Sequence, residues 1–278
     1  MKTVNDTADI FVPDGTAVDE ALTRITHLGV GAHQDDLEFM ALHGILQCFG
    51  QSDKWFCGAT VTNGAGSSRS GIYEKYSDEE MCEVRRVEQR NAAAIGQYGA
   101  MLQLDYPSSA VKGEDQDAVV EDLFNLLMET KSEVVYTHNP ADKHATHVGV
   151  YRAVIKAVRR MPVGDRPKML LGCEIWRDLD WLPDSKKVVL DLSERVNIAS
   201  ALSGVFDSQI TGGKRYDEAI AGRRKAHATF FESHNVDESD ALSFAMDMTP
   251  LVEDDSLSTA DFITGLIDSF KSEVLAQL

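Results

Sequence analysis

The chain has 278 residues, 43% of them hydrophobic, enough to bury a sizeable core in one large domain or two smaller ones; we read one, spanning residues 1–278. Its 27 Lys and Arg against 45 Asp and Glu leave a formal net charge of −18, and Arg223-Arg224-Lys225 is too short a basic run to offset it, which argues against nucleic acid or an anionic membrane surface as partner. Cys48, Cys57, Cys82 and Cys173 lack C-x-x-C spacing, no apolar run approaches membrane-spanning length, and the polar N-terminus has no signal-peptide core, so the sequence predicts a cytoplasmic protein with reduced thiols.

In chain order, residues 1–24 read as an extended lead-in ending in a short helix near Ala17 to Arg24, with Phe11 as its anchor. Leu28 to Ala32 is a short buried strand that stops abruptly at His33-Gln34-Asp35-Asp36. Residues 36–49 then place Met40, Leu42, Ile45, Leu46 and Phe49 on one face, which predicts a helix. The polar quartet therefore sits at a strand's carboxyl end, where ligands bind in open α/β sheets. His33 and Asp36, three apart across the turn, suit either one side of a metal site or a helix-capping aspartate beside a buried histidine.

Residues 55–61 form the second strand, followed by the Gly- and Ser-rich segment 62–71, which is either a substrate lid or an ordinary solvated loop. From Asp78 a helix runs with Met81, Val84, Val87, Ala92 and Ile95 as apolar positions and Gly96 near its end. Arg85 and Glu88 are neighbours on that helix, a spacing common to ordinary ion pairs. Met101 to Leu104 is the third strand, residues 116–130 an amphipathic helix, and residues 133–137 the fourth strand. Pro140 breaks that strand, and Asp142 predicts the N-cap of a helix to about Arg160. On it His144, His147, Val148, Tyr151, Val154, Ile155 and Val158 share a face.

A histidine pair on an apolar face is often a satisfied core pair, but two polar motifs that each follow a strand directly point together to a metal site at the rim of the sheet. Three protein ligands there would leave one position open for water. His138 lies near enough to line such a site; His27, His43, His227 and His234 receive no role. Residues 168–175 and 187–190 read as further strands, then helices follow at 193–210, 216–231 and 259–275, with a polar segment at 232–256, so that residues 232–278 form a C-terminal helical extension. Strands alternating with helices predict an α/β, Rossmann-like doubly wound, mainly parallel sheet. Trp176-Arg177 and Asp207-Ser208-Gln209 are candidate substrate walls.

On these residues the chain resembles the LmbE-like/PIG-L family of zinc-dependent de-N-acetylases, from about His27 to Tyr151. The family's His-Pro-Asp-Asp and His-x-x-His motifs are matched by His33-Gln34-Asp35-Asp36 and His144-Ala145-Thr146-His147. The resemblance implies that His33, Asp36 and His147 bind the metal, that Asp35 is the general base, that His144 assists at the oxyanion or leaving group, and that Arg85 lies near the substrate. Gln34 stands for the usual proline, Leu37 for a frequent glutamate, Thr146 for a frequent aspartate, and Asn63 for an aspartate; none removes an implied ligand or the base.

Given the metal, a protonated His144 is expected to hold the oxyanion, with Asp142 hydrogen-bonding its ring in the second shell. The expected cofactor is Zn2+, with Fe2+ or another divalent ion admitted by an all-N/O site. The expected activity removes an acetyl or small acyl group from a small-molecule N-acetylated amino sugar or sugar conjugate. Alternatives are an amidase acting on an N-acylated thiol conjugate or other small metabolite, a structural metal protein, and a non-hydrolytic Rossmann-like nucleotide-binding protein. Gly29-x-Gly31 suggests the last, but Gln34 replaces the third glycine of the fingerprint and Asp35-Asp36 would repel a pyrophosphate. A homo-oligomer is compatible with this reading.

Overall fold

The structure, a computed structural model, describes all 278 residues. Eight strands share one sheet: β1 (Asp9–Phe11), β2 (His27–Gly31), β3 (Phe56–Thr62), β4 (Ala100–Tyr106), β5 (Val134–His138), β6 (Met169–Cys173), β7 (Lys187–Asp191) and β8 (Leu242–Asp247), in the order β1-β4-β3-β2-β5-β6-β8-β7. The five central strands β4, β3, β2, β5 and β6 are parallel. At the edges β1 pairs antiparallel with β4, β8 antiparallel with β6, and β7 antiparallel with β8. This is the expected doubly wound, mainly parallel architecture.

Helices cover both faces, so the central strands bury both of their sides; all seven residues of β3 are buried. Leu28 and Val30 of β2 face one cluster, with Leu123, Leu126, Val150 and Val154 from the 117–130 and 145–160 helices. Leu37, Met40, Ile45, Tyr98 and Phe206 pack against Phe56, Met101 and Tyr136 on the other face. The chain runs outward one way through β2, β3 and β4 and the other way through β5 and β6. The crossovers diverge between β2 and β5, and that switch point leaves a crevice at the strands' carboxyl ends.

Four expectations about elements are corrected. The 232–278 segment is not wholly helical: Leu242–Asp247 forms β8, slotted between β6 and β7 with Leu242, Phe244 and Met246 buried. Its strand partners lie far away in the sequence, so local pattern gave no sign of it. The helix expected at 36–49 is two helices, Asp36–Met40 and Leu42–Cys48, joined at Ala41 (φ −106°, ψ 15°). The second lies so close to β5 that a Cβ at Gly44 would come within 2.5 Å of the Tyr136 ring. The helix expected to start at Asp142 starts at Ala145, with His144 in the N-cap position. The one expected at 193–210 is divided into Val196–Gly204 and Asp207–Ile210.

The other helices lie close to expectation. The 78–95 helix opens with a capping box, in which the Ser77 side chain accepts from Glu80 N and the Glu80 side chain accepts from Ser77 N. The lead-in is anchored as β1, with Phe11 opposite Met101. No helix is long and apolar enough to cross a membrane. All four cysteines are unpaired, three of them buried.

Candidate metal centre

β2 ends at Gly31 and the chain folds back at once. A Cβ at Gly31 would lie 2.9 Å from the Asp36 Cβ, and one at Gly29 would lie 2.7 Å from the Phe56 ring and 3.0 Å from Leu37. Close packing of the 36–40 helix on β2 thus accounts for both glycines, and the nucleotide-binding alternative loses the feature that suggested it. Gln34, where the resembling family has proline, ties the turn to β3 by donating from Nε2 to the Thr62 carbonyl at 3.0 Å. Asp35 adopts a left-handed backbone, φ 97°, ψ −28°, a sparsely populated region for a residue with a side chain. Asp36 follows, and its Oδ2 accepts from the main-chain N–H groups of Ala32 at 2.9 Å and His33 at 2.7 Å, which fixes the carboxylate under the turn.

His147, in the first turn of the 145–160 helix, completes a triangle. Its Nε2 lies 3.4 Å from Asp36 Oδ1 and 3.3 Å from His33 Nδ1, and His33 Nδ1 lies 3.4 Å from Asp36 Oδ2. A tetrahedral ion with ligand bonds of about 2.0–2.1 Å has donor-to-donor edges of about 3.3–3.4 Å. The distances match that edge length, with the two contacts to Asp36 ending on different carboxylate oxygens, so the three side chains converge at the spacing of a zinc site. The chemistry fits as well, with two imidazoles and one carboxylate and no counter-cation other than the ring protons. Although burial opposes its charge, Asp36 is held well below the usual carboxylate range by His147, His138 and His33. His147 is raised against the effect of burial by Asp36 and Asp142.

Asp142 supports His147 and not, as expected, the ring of His144. Its Oδ2 lies 3.4 Å from His147 Nδ1 and accepts from Trp176 N at 3.2 Å, while its Oδ1 accepts from the main-chain N–H of His144 at 2.8 Å. The tight turn brings the backbone of His144, two residues on, to the carboxylate and sends its ring elsewhere. That ring stands edge-on to His33 at 5.1 Å and stacks on Trp176 at 6.0 Å, with no partner for Nδ1. Burial, with the neighbouring His147 and His33, pushes His144 down to about 4, so the expected protonated imidazole is neutral near pH 7.

His138, the last residue of β5, is fully buried and stacks on His147 at 3.9 Å. Its Nε2 accepts from Ala32 N at 2.9 Å and lies 3.3 Å from Asp36 Oδ2. Donor atoms of Asp36, His138 and His147, and equally of His33, His144 and His147, lie within 4.8 Å of one another. In the sequence, only its closeness to the His144–His147 motif pointed to His138. Like His147, and unlike His33, Asp36 and His144, it does not line the cavity; it stacks behind His147 and backs the Asp36 carboxylate.

Asp35 is 5% exposed, and burial raises it to about 6; the Asp36 charge adds to this and Arg85 opposes it. The Arg85 guanidinium bonds Asp35 Oδ2 at 3.0 Å, Glu88 Oε2 at 3.1 Å, Ser208 Oγ at 3.3 Å and the Gln34 carbonyl. Arg85 borders the cavity, yet its terminal nitrogens are committed inside the protein. It lines the cavity, as its expected place near the substrate requires, and also supplies the counter-charge to Asp35. From one turn further along the same helix, Gln89 Oε1 accepts from Asp35 N at 3.2 Å while its Nε2 donates to Glu38 Oε1 at 2.8 Å, and Tyr98 OH donates to the same oxygen at 2.6 Å. Sequence reasoning did not single out Gln89, Glu38 or Tyr98.

A cavity of about 670 Å³ opens from the donor set, walled by residues 63–68 on one side and by Ile175, Trp176, Lys214, Tyr216 and Arg223 on the other. Of the candidate walls, Trp176 and Gln209 line it; Arg177 bonds the Ala141 carbonyl, and Asp207 and Ser208 bond Tyr73 and Glu88. The Gly- and Ser-rich loop is tied to the opposite wall through Ser70 Oγ to the Thr211 carbonyl at 3.1 Å and Tyr73 OH to Asp207 at 2.6 Å.

Residues 28–158 match the family model described as PIG-L: GlcNAc-PI de-N-acetylase. An uncharacterized deacetylase of Escherichia coli (strain K12), YaiS, is 26% identical over 155 residues, covering 54% of this chain and 77% of that protein. Among solved structures, GalB, the 4-carboxy-2-hydroxymuconate hydratase of Pseudomonas putida KT2440, is similar with a TM-score of 0.62 at 17% identity, over 81% of this chain and 96% of that one. The N,N'-diacetylchitobiose deacetylase of Pyrococcus horikoshii is similar with a TM-score of 0.60 at 14% identity, over 80% and 83%. These two likenesses establish the shared fold, and since one of the two proteins is a hydratase, the fold does not by itself select the reaction. The segment matched by the family model runs from β2 through the 145–160 helix and carries the whole donor set. Residues 28–158 thus match the PIG-L (LmbE-like) family model, and together with the deacetylase relative this match supports an enzyme acting on an amide C–N bond.

Proposed function

We propose that this enzyme is a zinc-dependent hydrolase that removes an acetyl or similar small acyl group from the nitrogen of an amino sugar or sugar conjugate. The observation that carries the reading is the convergence of the His33, Asp36 and His147 side chains at 3.3–3.4 Å contacts, with His33, Asp36 and the neighbouring carboxylate Asp35 lining a cavity. A zinc ion held by those three residues would polarise the acyl carbonyl and lower the pKa of water at the open position to about 7.

Asp35 accepts the proton of the attacking water and returns it to the departing nitrogen. A carboxyl raised to about 6 has a basicity near the working pH, the condition under which a general base is most effective. His144, neutral at that pH, donates a ring N–H to the carbonyl oxygen as negative charge builds there. Asp142 orients His147, and His138 backs the Asp36 carboxylate. Trp176 and Tyr216 offer apolar ring faces to a sugar, with Lys112, Lys214, Arg223 and Gln209 available to its polar groups. The all-N/O donor set also accommodates Fe2+.

The test is the metal content of the purified protein together with acetate release from N-acetylglucosamine and a panel of its conjugates, with and without a chelator. About one zinc per chain and chelator-sensitive acetate release are expected. Metal without acetate from any member would move the substrate to other amides, and no divalent metal after reconstitution would overturn the reading.

A further inference from the structure

The left-handed backbone of Asp35 requires support, because such a conformation persists in a residue with a side chain only where its surroundings over-determine it. The turn is held at four points. The Asp35 N–H donates to Gln89 Oε1 at 3.2 Å, and its carbonyl accepts from Phe39 N at 3.2 Å. The preceding carbonyl, of Gln34, accepts from Arg85, and the Asp35 carboxylate pairs with the same guanidinium at 3.0 Å. Of these, the Gln89 contact is the one made by a side chain to the Asp35 main chain itself.

Gln89 cannot grip with the wrong end. Its Oε1 faces a main-chain donor, and its Nε2 faces Glu38 Oε1, an acceptor, at 2.8 Å, so only one orientation of the amide satisfies both neighbours. Tyr98 donates to that same Glu38 oxygen at 2.6 Å and is itself wedged edge-on against Phe56 of β3 at 4.8 Å. Gln89, Glu38 and Tyr98 are all buried, and Glu38 has no cationic partner and leaves Oε2 without a hydrogen bond. An apolar side chain would fill position 38 at lower desolvation cost, so packing alone does not account for a carboxyl there.

We propose that Gln89, oriented by Glu38 and Tyr98, is a positioning residue that holds the Asp35 turn and thereby keeps the Asp35 carboxylate at the cavity beside the metal donors. Its effect on turnover rests on the reading of Asp35 as general base; its effect on the turn does not. Small displacements of a reacting group cost about a hundredfold in rate at about 1 Å. Gln89→Met keeps the length and volume while removing the acceptor. Glu38→Gln keeps an oxygen for both Gln89 and Tyr98, whereas Glu38→Leu removes it.

The experiment measures kcat and KM for acetate release, zinc content and melting temperature for these variants, alone and combined with Asp35→Asn, and determines the crystal structure of Gln89→Met with zinc bound. The expected results are a kcat lowered about 10- to 100-fold by Gln89→Met and by Glu38→Leu, with KM within about twofold and zinc retained, and restoration toward the parent value in Glu38→Gln. In the Asp35→Asn background the Gln89→Met effect should vanish, because both act through one group. In the structure the Asp35 φ should leave the left-handed region. An unchanged kcat, or an equal fall in the Asp35→Asn background, would overturn the proposal. If the parent enzyme releases acetate from no conjugate, the deacetylase reading fails, and the crystal structure still decides: an Asp35 φ remaining near 97° in Gln89→Met refutes the positioning role.

Discussion

Replacing Asp35 by asparagine keeps the side chain's size and takes away its capacity to accept a proton. The structure separates this loss from collateral damage. Arg85 retains Glu88 at 3.1 Å, Ser208 and the Gln34 carbonyl, so no guanidinium is left without a counter-charge. The contact to Gln89 is made by the main-chain N–H and is indifferent to the substitution. Asparagine also tolerates a left-handed backbone better than most residues. Since burial already disfavours the charge on Asp35, removing it should change the melting temperature by only a few degrees, where about 1 kcal/mol corresponds to about 2–4 °C in a chain of this size.

Asp35 is outside the His33, Asp36 and His147 triangle, so zinc content should be unchanged. General-base catalysis contributes about 10²- to 10⁴-fold, or about 2.7–5.5 kcal/mol of barrier. We therefore expect kcat to fall by that factor with about one zinc per chain still bound, read by steady-state acetate release, elemental analysis and thermal melting of one preparation. Activity within tenfold of the parent at full zinc occupancy would refute the base assignment, and loss of zinc would place Asp35 among the ligands.

Three further outcomes follow from the same coordinates. His147→Ala should abolish zinc binding measured by calorimetric titration, since it removes the donor that meets both His33 and Asp36; full occupancy would contradict the ligand set. Burial opposes the charge of Glu174, but bonds from His227 and from the N–H groups of Leu179 and Phe244 outweigh it and lower its folded pKa. A depressed folded value means that the contribution is fully present above the unfolded pKa of about 4.3 and is lost as pH falls through the folded one, so Glu174→Gln should flatten the acid limb of melting temperature against pH; identical slopes would count against the pairing. Gly149→Ala would set a methyl 2.1 Å from the Val111 carbonyl oxygen, a main-chain atom with little room to yield, and should destabilise by about 1–3 kcal/mol or more in urea titration, whereas a neutral result would show that the 109–112 helix moves aside.

The strand-end motifs were legible because their signals are local. An apolar run that halts at His33-Gln34-Asp35-Asp36, and Pro140 followed by two histidines at i, i+3 spacing, can be read within a dozen residues. So could the alternation of strands and helices that implies a parallel sheet, because each element's periodicity is set by its own face against the core. The resemblance to a family then assigned roles that spacing alone left open. At Asp142 and β8, where the structure differs from expectation, the deciding contact was one that local spacing does not specify. Whether Asp142 meets the ring of His144 or of His147 depends on the φ and ψ of a turn, and the pairing of Arg85 with Asp35 depends on how the 78–95 helix is rotated against the 36–40 helix.

The sequence by itself thus determined the fold class, the two loops that carry the candidate metal donors, and the chemical types of those donors. The tertiary structure decided what converges. It set His147 3.3 Å from His33 across 114 residues, put His138 behind His147 through the pairing of β5 with β2, and closed Gln89 and Glu38 around the Asp35 turn. Periodicity and turn chemistry act over a few residues and are written into the order of the side chains. Register, helix rotation and the meeting of distant loops are fixed by packing of the whole core, which no single stretch encodes.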